Sequence, residues 1–587
     1  MIRSIRHLAT TAAAVVVTAT ALGAQTYPRG GDPRDGLKHG LADAGVAISG
    51  MRLVASAPKP APFDSMRGLT FVNSDLAFRG NLVYQGNFAG FSIWDVSNPA
   101  RPRMLSVVEC ITSQGDPTII GNLLFVSAEG GGNRNDCAKG GVQDPKDHMA
   151  GVRIYDVSNP RRPQLVKNVQ TCKGSHTHTV IPHPTDRNIV YIYVSGGQGA
   201  REEMAGCVNG TDPADTTNSL YRLDVIRVPL DNPSRAEVVT GARIFTGLGS
   251  RPRRAGQAAP QGNQAQSGPR NCHDVTAYPA MNLLAGACGS HGLLVDISSP
   301  ERPVRLDAVA DTNFSLWHTA IFSNDGRKVF FTDEWGGGTQ PMCQATSMME
   351  MGGNVVLTIG DDRKMRQHAY FKIPTGQAAN ENCVSHNGSL IPVPGRDLAV
   401  QGWYQGGVNL VDFTDPDRPF EFGFFDRGPI DAPPAATDTS RFRRGGTIGG
   451  SWGAYWYNGY IYSSEMARGL DILELVPSEH LSANEIAAAK LVRMEEFNPQ
   501  SQPHITWPAA FPVVRSYIDQ LIRGNGLPAA RTAAIGQALD VAERRGGAAR
   551  TTALNALAAE LDRDAANARD AARVRAMAAE VRRLAGN

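Results

Sequence analysis

One stretch constrains this chain more than any other. Gly90-Phe-Ser-Ile-Trp-Asp95-Val-Ser-Asn-Pro99-Ala-Arg-Pro102 returns, closely copied, as Gly151-Val-Arg-Ile-Tyr-Asp156-Val-Ser-Asn-Pro160-Arg-Arg-Pro163 and again at 291–303 and 407–419, with weaker copies at 223–233, 354–361 and 469–475. Each close copy is a β-branched and aromatic run ended by Asp, Ser or Thr, and two prolines. That composition reads as a strand entering a tight turn that proline pre-bends. A repeat at this interval, with several strands per unit, is the sequence signature of a β-propeller.

Reading outward from each copy, a unit has an inner strand, a second strand, the repeat strand, and an outer strand after the proline turn. Inner strands begin near Asp75, Asp116, His178, His273, His318, His386 and Trp452, which makes seven blades. Met51 to Pro58 looks like a fourth strand that precedes any complete blade, so it is expected to close the ring by pairing with the last one. A propeller also accommodates 587 residues, because each blade packs only on its neighbours. The expected fold is all-β: a seven-bladed propeller over 51–504 after a lead-in at 25–50, followed by a small helical bundle over 505–587. There Val513, Val514, Tyr517, Ile518 and Leu521, then Ile535, Leu539 and Val541, and two further sets fall at helical spacing. That bundle reads as a docking module or as a self-contained appendage. Arg251 to Gly268 and Arg427 to Gly450, rich in Gly, Pro and Ala or Gln, read as two long loops.

Residues 1–24 carry Arg3 and Arg6, an apolar run from Leu8 to Leu22, and small residues Gly23 and Ala24, the pattern of a secretory signal peptide cut before Gln25. A secreted or periplasmic protein is expected, with no membrane span after cleavage. A net charge of +2 makes no electrostatic case for nucleic acid. Eight cysteines with no CxxC pair point to disulfides. Cys110, Cys172, Cys272 and Cys383 lie just ahead of inner strands; Cys137, Cys207, Cys288 and Cys343 follow second strands. Neighbouring strands are antiparallel, so both groups lie on one face, and sequential pairing (110 with 137, 172 with 207, 272 with 288, 343 with 383) is expected.

Aligned on their apolar residues, the inner strands place Asp75, Asp116, His178, His273, His318 and His386 in register, with Trp452 in the seventh. Inner strands line the channel of a propeller, so four imidazoles and two carboxylates are expected to ring one mouth. That donor set suits a divalent transition ion (Cu, Fe, Zn or Mn) better than Ca. The competing reading is a ring of hydrogen bonds to ordered water. Glu129, Glu334, Glu465 and His291, at second-strand ends, are expected at the same face as partners of the imidazoles; the three glutamates are the candidate catalytic bases beside a metal-bound water. Trp335 and Trp452 are expected to wall the site, Trp403 to pack between blades, and His176 to stand in reserve as a ligand. Walker, HExxH and EF-hand patterns are absent.

On its repeat strands the chain resembles the LVIVD-repeat family over roughly residues 36 to 500. The resemblance implies a propeller and leaves function open, since members look like surface and exported propellers without an assigned reaction. The stretch Trp317-His318-Thr-Ala-Ile-Phe-Ser-Asn-Asp-Gly-Arg-Lys-Val-Phe-Phe looks like the His-bearing inner strand of the selenium-binding protein and methanethiol oxidase family, which uses copper in a propeller. Four inner-strand histidines are also similar to the iron-holding set of the carotenoid oxygenases. Two functions follow as expectations: a metal-dependent oxidoreductase or hydrolase acting on a small molecule, or a non-catalytic scaffold engaging exported or cell-envelope proteins.

Overall fold

The computed structural model describes residues 31–64, 72–197, 199–250, 252, 268–430 and 448–586; the expected signal peptide and most of both expected loops lie outside them. Four-stranded antiparallel sheets recur along the chain, all but the last running from an inner strand outward in sequence order. The inner strands are β1 (Asn73–Arg79), β2 (Pro117–Ile120), β3 (Thr177–Pro182), β4 (Val275–Tyr278), β5 (Trp317–Phe322), β6 (Asn387–Ile391) and β7 (Ser451–Tyr457). Each neighbours the next, and β7 neighbours β1. The sheets of β6 and β7 share one parallel junction, Asn387 opposite Gly453, and so form a continuous nine-stranded sheet.

The repeat shows why it is conserved from sheet to sheet within the chain. Oδ1 of Asp95, Asp156, Asp296 and Asp412 accepts the backbone N–H two residues on, at 2.8–2.9 Å, so each repeated aspartate closes the turn behind its strand. At the strand's start Gly90, Gly151 and Gly469 have φ of +140° to +150°, and an added Cβ would lie 1.9–2.0 Å from a carbonyl oxygen of the adjoining outer strand. Only glycine fits there. Buried apolar side chains then fill the space between sheet faces, as where Ile181, Tyr191 and Val225 meet Val275, Leu284 and Val295.

Two N-terminal strands work as a stitch. Val46–Ser49 pairs with the outer strand Phe420–Arg427, and Met51–Pro58 pairs with Gly469–Leu475 as the fourth strand of the last sheet. All four disulfides join the cysteines expected from antiparallel geometry: Cys110–Cys137, Cys172–Cys207, Cys272–Cys288 and Cys343–Cys383. Among the described residues no helix is long and apolar enough to cross a membrane.

The C-terminal region holds helices α1 (Ala483–Leu491), α2 (Phe511–Arg523), α3 (Ala529–Arg544), α4 (Gly547–Ala565) and α5 (Ala571–Ala585). Their apolar faces meet in one core, although Val541, expected within it, is exposed. Helix α1 stands ahead of the boundary expected at 505. Its buried Glu485 both caps the helix through Ser482 and pairs with Arg396 of the propeller at 2.9 Å and Arg523 of α2 at 2.6 Å. Between α1 and α2 the chain runs as a strap across the ends of the inner strands. Glu496–Phe497 pairs with β1, the Asn498 amide exchanges two hydrogen bonds with the backbone of Ile119 in β2 at 2.8 Å, residues 500 and 502 bond to Ala277 in β4, and the Gln502 amide exchanges two with Phe322 in β5 at 3.0 Å.

Candidate metal centre

The inner strands all begin at the end of the channel opposite the strap, and there four imidazoles form a continuous arc. Ring centroids of His176 and His273 are 4.3 Å apart, those of His273 and His318 3.8 Å, and those of His318 and His386 4.1 Å. Glu334, at the end of the second strand beside β5, reaches into the arc. Its Oε2 lies 3.8 Å from His273 Nε2 and 3.7 Å from His318 Nε2, and its Oε1 lies 3.8 Å from His386 Nε2. His273, His318 and Glu334 bring their donor atoms within 4.8 Å of one another. Two nitrogen or oxygen donors on one tetrahedral zinc-like ion, each about 2.0–2.1 Å from it, stand roughly 3.3–3.4 Å apart, so a small inward movement would suffice.

The nitrogens away from this centre are tied to oxygen. Nδ1 of His176 meets Glu129 Oε2 at 2.6 Å, Nδ1 of His273 meets Asp274 Oδ1 at 3.0 Å, and Nδ1 of His386 donates to the carbonyl of Trp452. Each pairing places the Nδ1 proton and turns Nε2 inward, as outer carboxylates and carbonyls do for metal-bound histidine. His318, wholly buried, has no hydrogen-bond partner at either nitrogen, and His386 has none at Nε2. Buried polar atoms left in this way are rare and costly in a finished interior, and imidazole lone pairs converging on a carboxylate are the donor chemistry of a transition ion.

Electrostatics divide the arc. Burial disfavours the charge on His176, but Glu129, Asp116 and Glu334 overcome that and lift its pKa to about 9; protonated, it donates from Nε2 to His273 Nε2 at 2.7 Å. Burial, reinforced by the neighbouring imidazoles, holds His318 well below its ordinary value, and burial takes His386 down to about 3. These two rings are neutral bases. Burial raises Glu334 despite His273 and the Tyr404 hydroxyl, which donates to Oε1 at 2.6 Å. The side chains of His176 and His273 are 27% and 12% exposed and those of His318 and His386 are fully covered, so the arc opens at one end.

Of the residues expected as ligands, the structure thus brings together His273, His318 and His386. His178 departs from the arc: its Nδ1 meets Ser127 Oγ at 2.8 Å and burial lowers its pKa to about 3, while His176, the reserve ligand two residues earlier, takes the expected position. Asp75 accepts hydrogen bonds from Tyr455 and Asn387, and Asp116 is buried with neither oxygen partnered. Among the glutamates, Glu334 and Glu129 join the arc, whereas Glu465 is held by Arg468 and by the backbone N–H groups of Gly450, Ala467 and Arg468. His291 meets Ser290 Oγ. Trp452 packs edge-on against His386, and Trp335 joins it in an apolar cluster with Tyr404 and Met466; Trp403 is fully buried against Phe371. Tyr404 and Asp274 were not expected. Asp274 sits one residue past a histidine already chosen, and Tyr404, held at φ +53°, has no sequence signal that marks it.

The fold is that of a β-propeller, built of four-stranded sheets with helices mainly at the C-terminus. The LVIVD repeat model matches residues 73–109 and 147–171 of the chain. No curated protein matches it. Similar solved structures include Kuenenia stuttgartiensis hydrazine synthase (11% identity, 70% of this chain and 99% of that chain, TM-score 0.41) and Saccharomyces cerevisiae Sqt1 (8% identity, 70% and 98%, TM-score 0.39). A functionally unknown protein from Desulfotomaculum acetoxidans DSM 771 is also similar (12% identity, 61% and 90%, TM-score 0.35).

Proposed function

We propose that this chain is an exported, seven-bladed propeller closed by its N-terminal strand, which holds one transition-metal ion between His273, His318, His386 and Glu334 and acts on a small molecule as a metal-dependent oxidoreductase or hydrolase. The inner-strand neighbours from β1 through β7 and back to β1 support the ring, and four disulfides fit an oxidising compartment. One observation carries the metal: Nε2 of His318 and of His386, both buried and with no other partner, converge with His273 on the Glu334 carboxylate, while the Nδ1 atoms of His273 and His386 are fixed by oxygen. A bound ion would supply Lewis-acid or redox chemistry. The chain's own part is to exclude water with Trp452 and Tyr404 and to leave entry on the His176 side, where Glu129 and His176 hold a proton beside the centre.

The test is metal content by plasma mass spectrometry on protein from its exported fraction, beside His273→Ala/His318→Ala. About one equivalent of a transition metal is expected, lost in the variant; a folded, metal-free wild type overturns the proposal. The burial of His318, His386 and Glu334 favours a second reading, a scaffold protein with a closed structural metal. Cobalt-substituted protein separates the two: a visible spectrum that moves on adding azide marks an open position, and an unmoved spectrum marks a closed one.

A further inference from the structure

His176 and His273 face each other nitrogen to nitrogen. Nδ1 of His176 is pinned by Glu129 Oε2 at 2.6 Å, and Glu129 is itself fixed by the Gly197 N–H, which donates to Oε1 at 2.9 Å. Nδ1 of His273 is pinned by Asp274 Oδ1 at 3.0 Å. A carboxylate can only accept, so each Nδ1 carries a hydrogen and each ring is left with Nε2 as its one basic nitrogen. Those two Nε2 atoms stand 2.7 Å apart. Two bare lone pairs at that distance repel, so one hydrogen lies between them, and whichever ring owns it, the lone pair of His273 is engaged. The spacing is also shorter than that of two ligands on one tetrahedral zinc-like ion, roughly 3.3–3.4 Å. In this arrangement His176 is the hydrogen-bond partner of a ligand. A third group meets the same nitrogen: the side-chain amide of Gln114, 2% exposed, brings its Nε2 to 2.7 Å from His176 Nε2.

Resting on the metal reading above, we propose that His176 is a gate on that centre, a positioning residue that holds His273 until an ion arrives and then passes to Gln114. An ion bound through His273 Nε2 needs its lone pair, a neutral imidazole has only one, and His176 already engages it. Binding therefore requires the pair to part. What His176 gives up at His273 it recovers at Gln114, whose amide offers an N–H or, turned over, an oxygen. The Glu129 bond at Nδ1 is not involved in the exchange, so it can serve as the pivot. The His176 side chain is more exposed than that of His273, which places the gate at the open end of the arc. The consequence is opposite in sign to that of a ligand: removing His176 makes the ion bind more tightly.

Zinc affinity of the whole chain, measured by competition with a chromophoric chelator, tests this. His176→Ala is expected to bind zinc about tenfold more tightly than wild type, the worth of one hydrogen bond to a charged group. Gln114→Leu, which takes away the gate's second partner, should bind it several-fold more weakly. The double variant should match His176→Ala, because Gln114 acts only through His176. Should the alanine variant fail to fold, His176→Phe keeps a ring against His273 without a nitrogen and carries the same expectation. Weaker binding in His176→Ala makes His176 a ligand and overturns the gate while leaving the metal centre. Unchanged binding, or a Gln114 effect that persists without His176, overturns it too. A folded wild type that binds no zinc removes the metal reading itself, and the gate with it.

Discussion

At the strap end of the channel, Asn498 and Gln502 each exchange two hydrogen bonds with a single residue's backbone, so that the ends of β2 and β5 are paired as fully as a ladder would pair them. At the mouth, His318 has no partner at either nitrogen, and His386 and Trp452 each lack one. The same inner strands therefore carry a satisfied end and an unsatisfied end within a few residues of each other. The difference separates groups whose hydrogen bonds hold the fold from groups left without one: a satisfied amide adds stability, and an orphaned imidazole subtracts from it unless something binds.

The largest expected effect comes from breaking the satisfied end. Asn498→Ala/Gln502→Ala strands four backbone groups and should lower stability by about 3–5 kcal/mol in denaturant unfolding, with metal content per folded molecule unchanged. A smaller effect sharpens the picture at the other end. His178 has its pKa depressed to about 3 by burial, so between about pH 6.5 and 3 the unfolded chain takes up a proton that the folded chain refuses. Stability present at neutral pH is lost as pH falls through that window, by about 2 kcal/mol at pH 5. His178→Phe should remove that portion of the acid slope, leaving the metal in place. The smallest effect is the most diagnostic: His318→Phe replaces an unpartnered ring with an apolar one of similar shape, and should change metal-free stability by less than about 1 kcal/mol while abolishing metal binding. A loss of several kcal/mol in calorimetry would place His318 among the structural residues.

The architecture was legible because the repeat strand is also the structural unit: its β-branched body and aspartate turn recur at the four close copies, and its glycine start does the same physical work at Gly90, Gly151 and Gly469. The disulfides were legible for a related reason, since antiparallel pairing fixes which strand ends share a face. Within the site, His176 and His178 have the same parity along the chain, and no local signal tells which of them lies at the strand's first turn; Ser127, distant in sequence, draws His178 aside. Glu465 carried a readable warning in Arg468 three residues on, a spacing that pairs the two directly at 2.9 Å. The strap was read as the tail of the propeller, because Asn498 and Gln502 act by imitating peptide groups and leave no pattern of their own.

The N-terminal stitch bears on how the molecule comes to exist. Met51 pairs with Leu475, and Val46 with Arg427, so the outer edges of the last two sheets are held by residues made before the first sheet. Local sheets can assemble as they emerge, but the seam waits until nearly the whole propeller is present, and its closure is among the most non-local events this chain can undergo. With the seam unmade, the outer strands Phe420–Arg427 and Gly469–Leu475 are bare edges, the kind at which another copy's strand pairs in place of the chain's own.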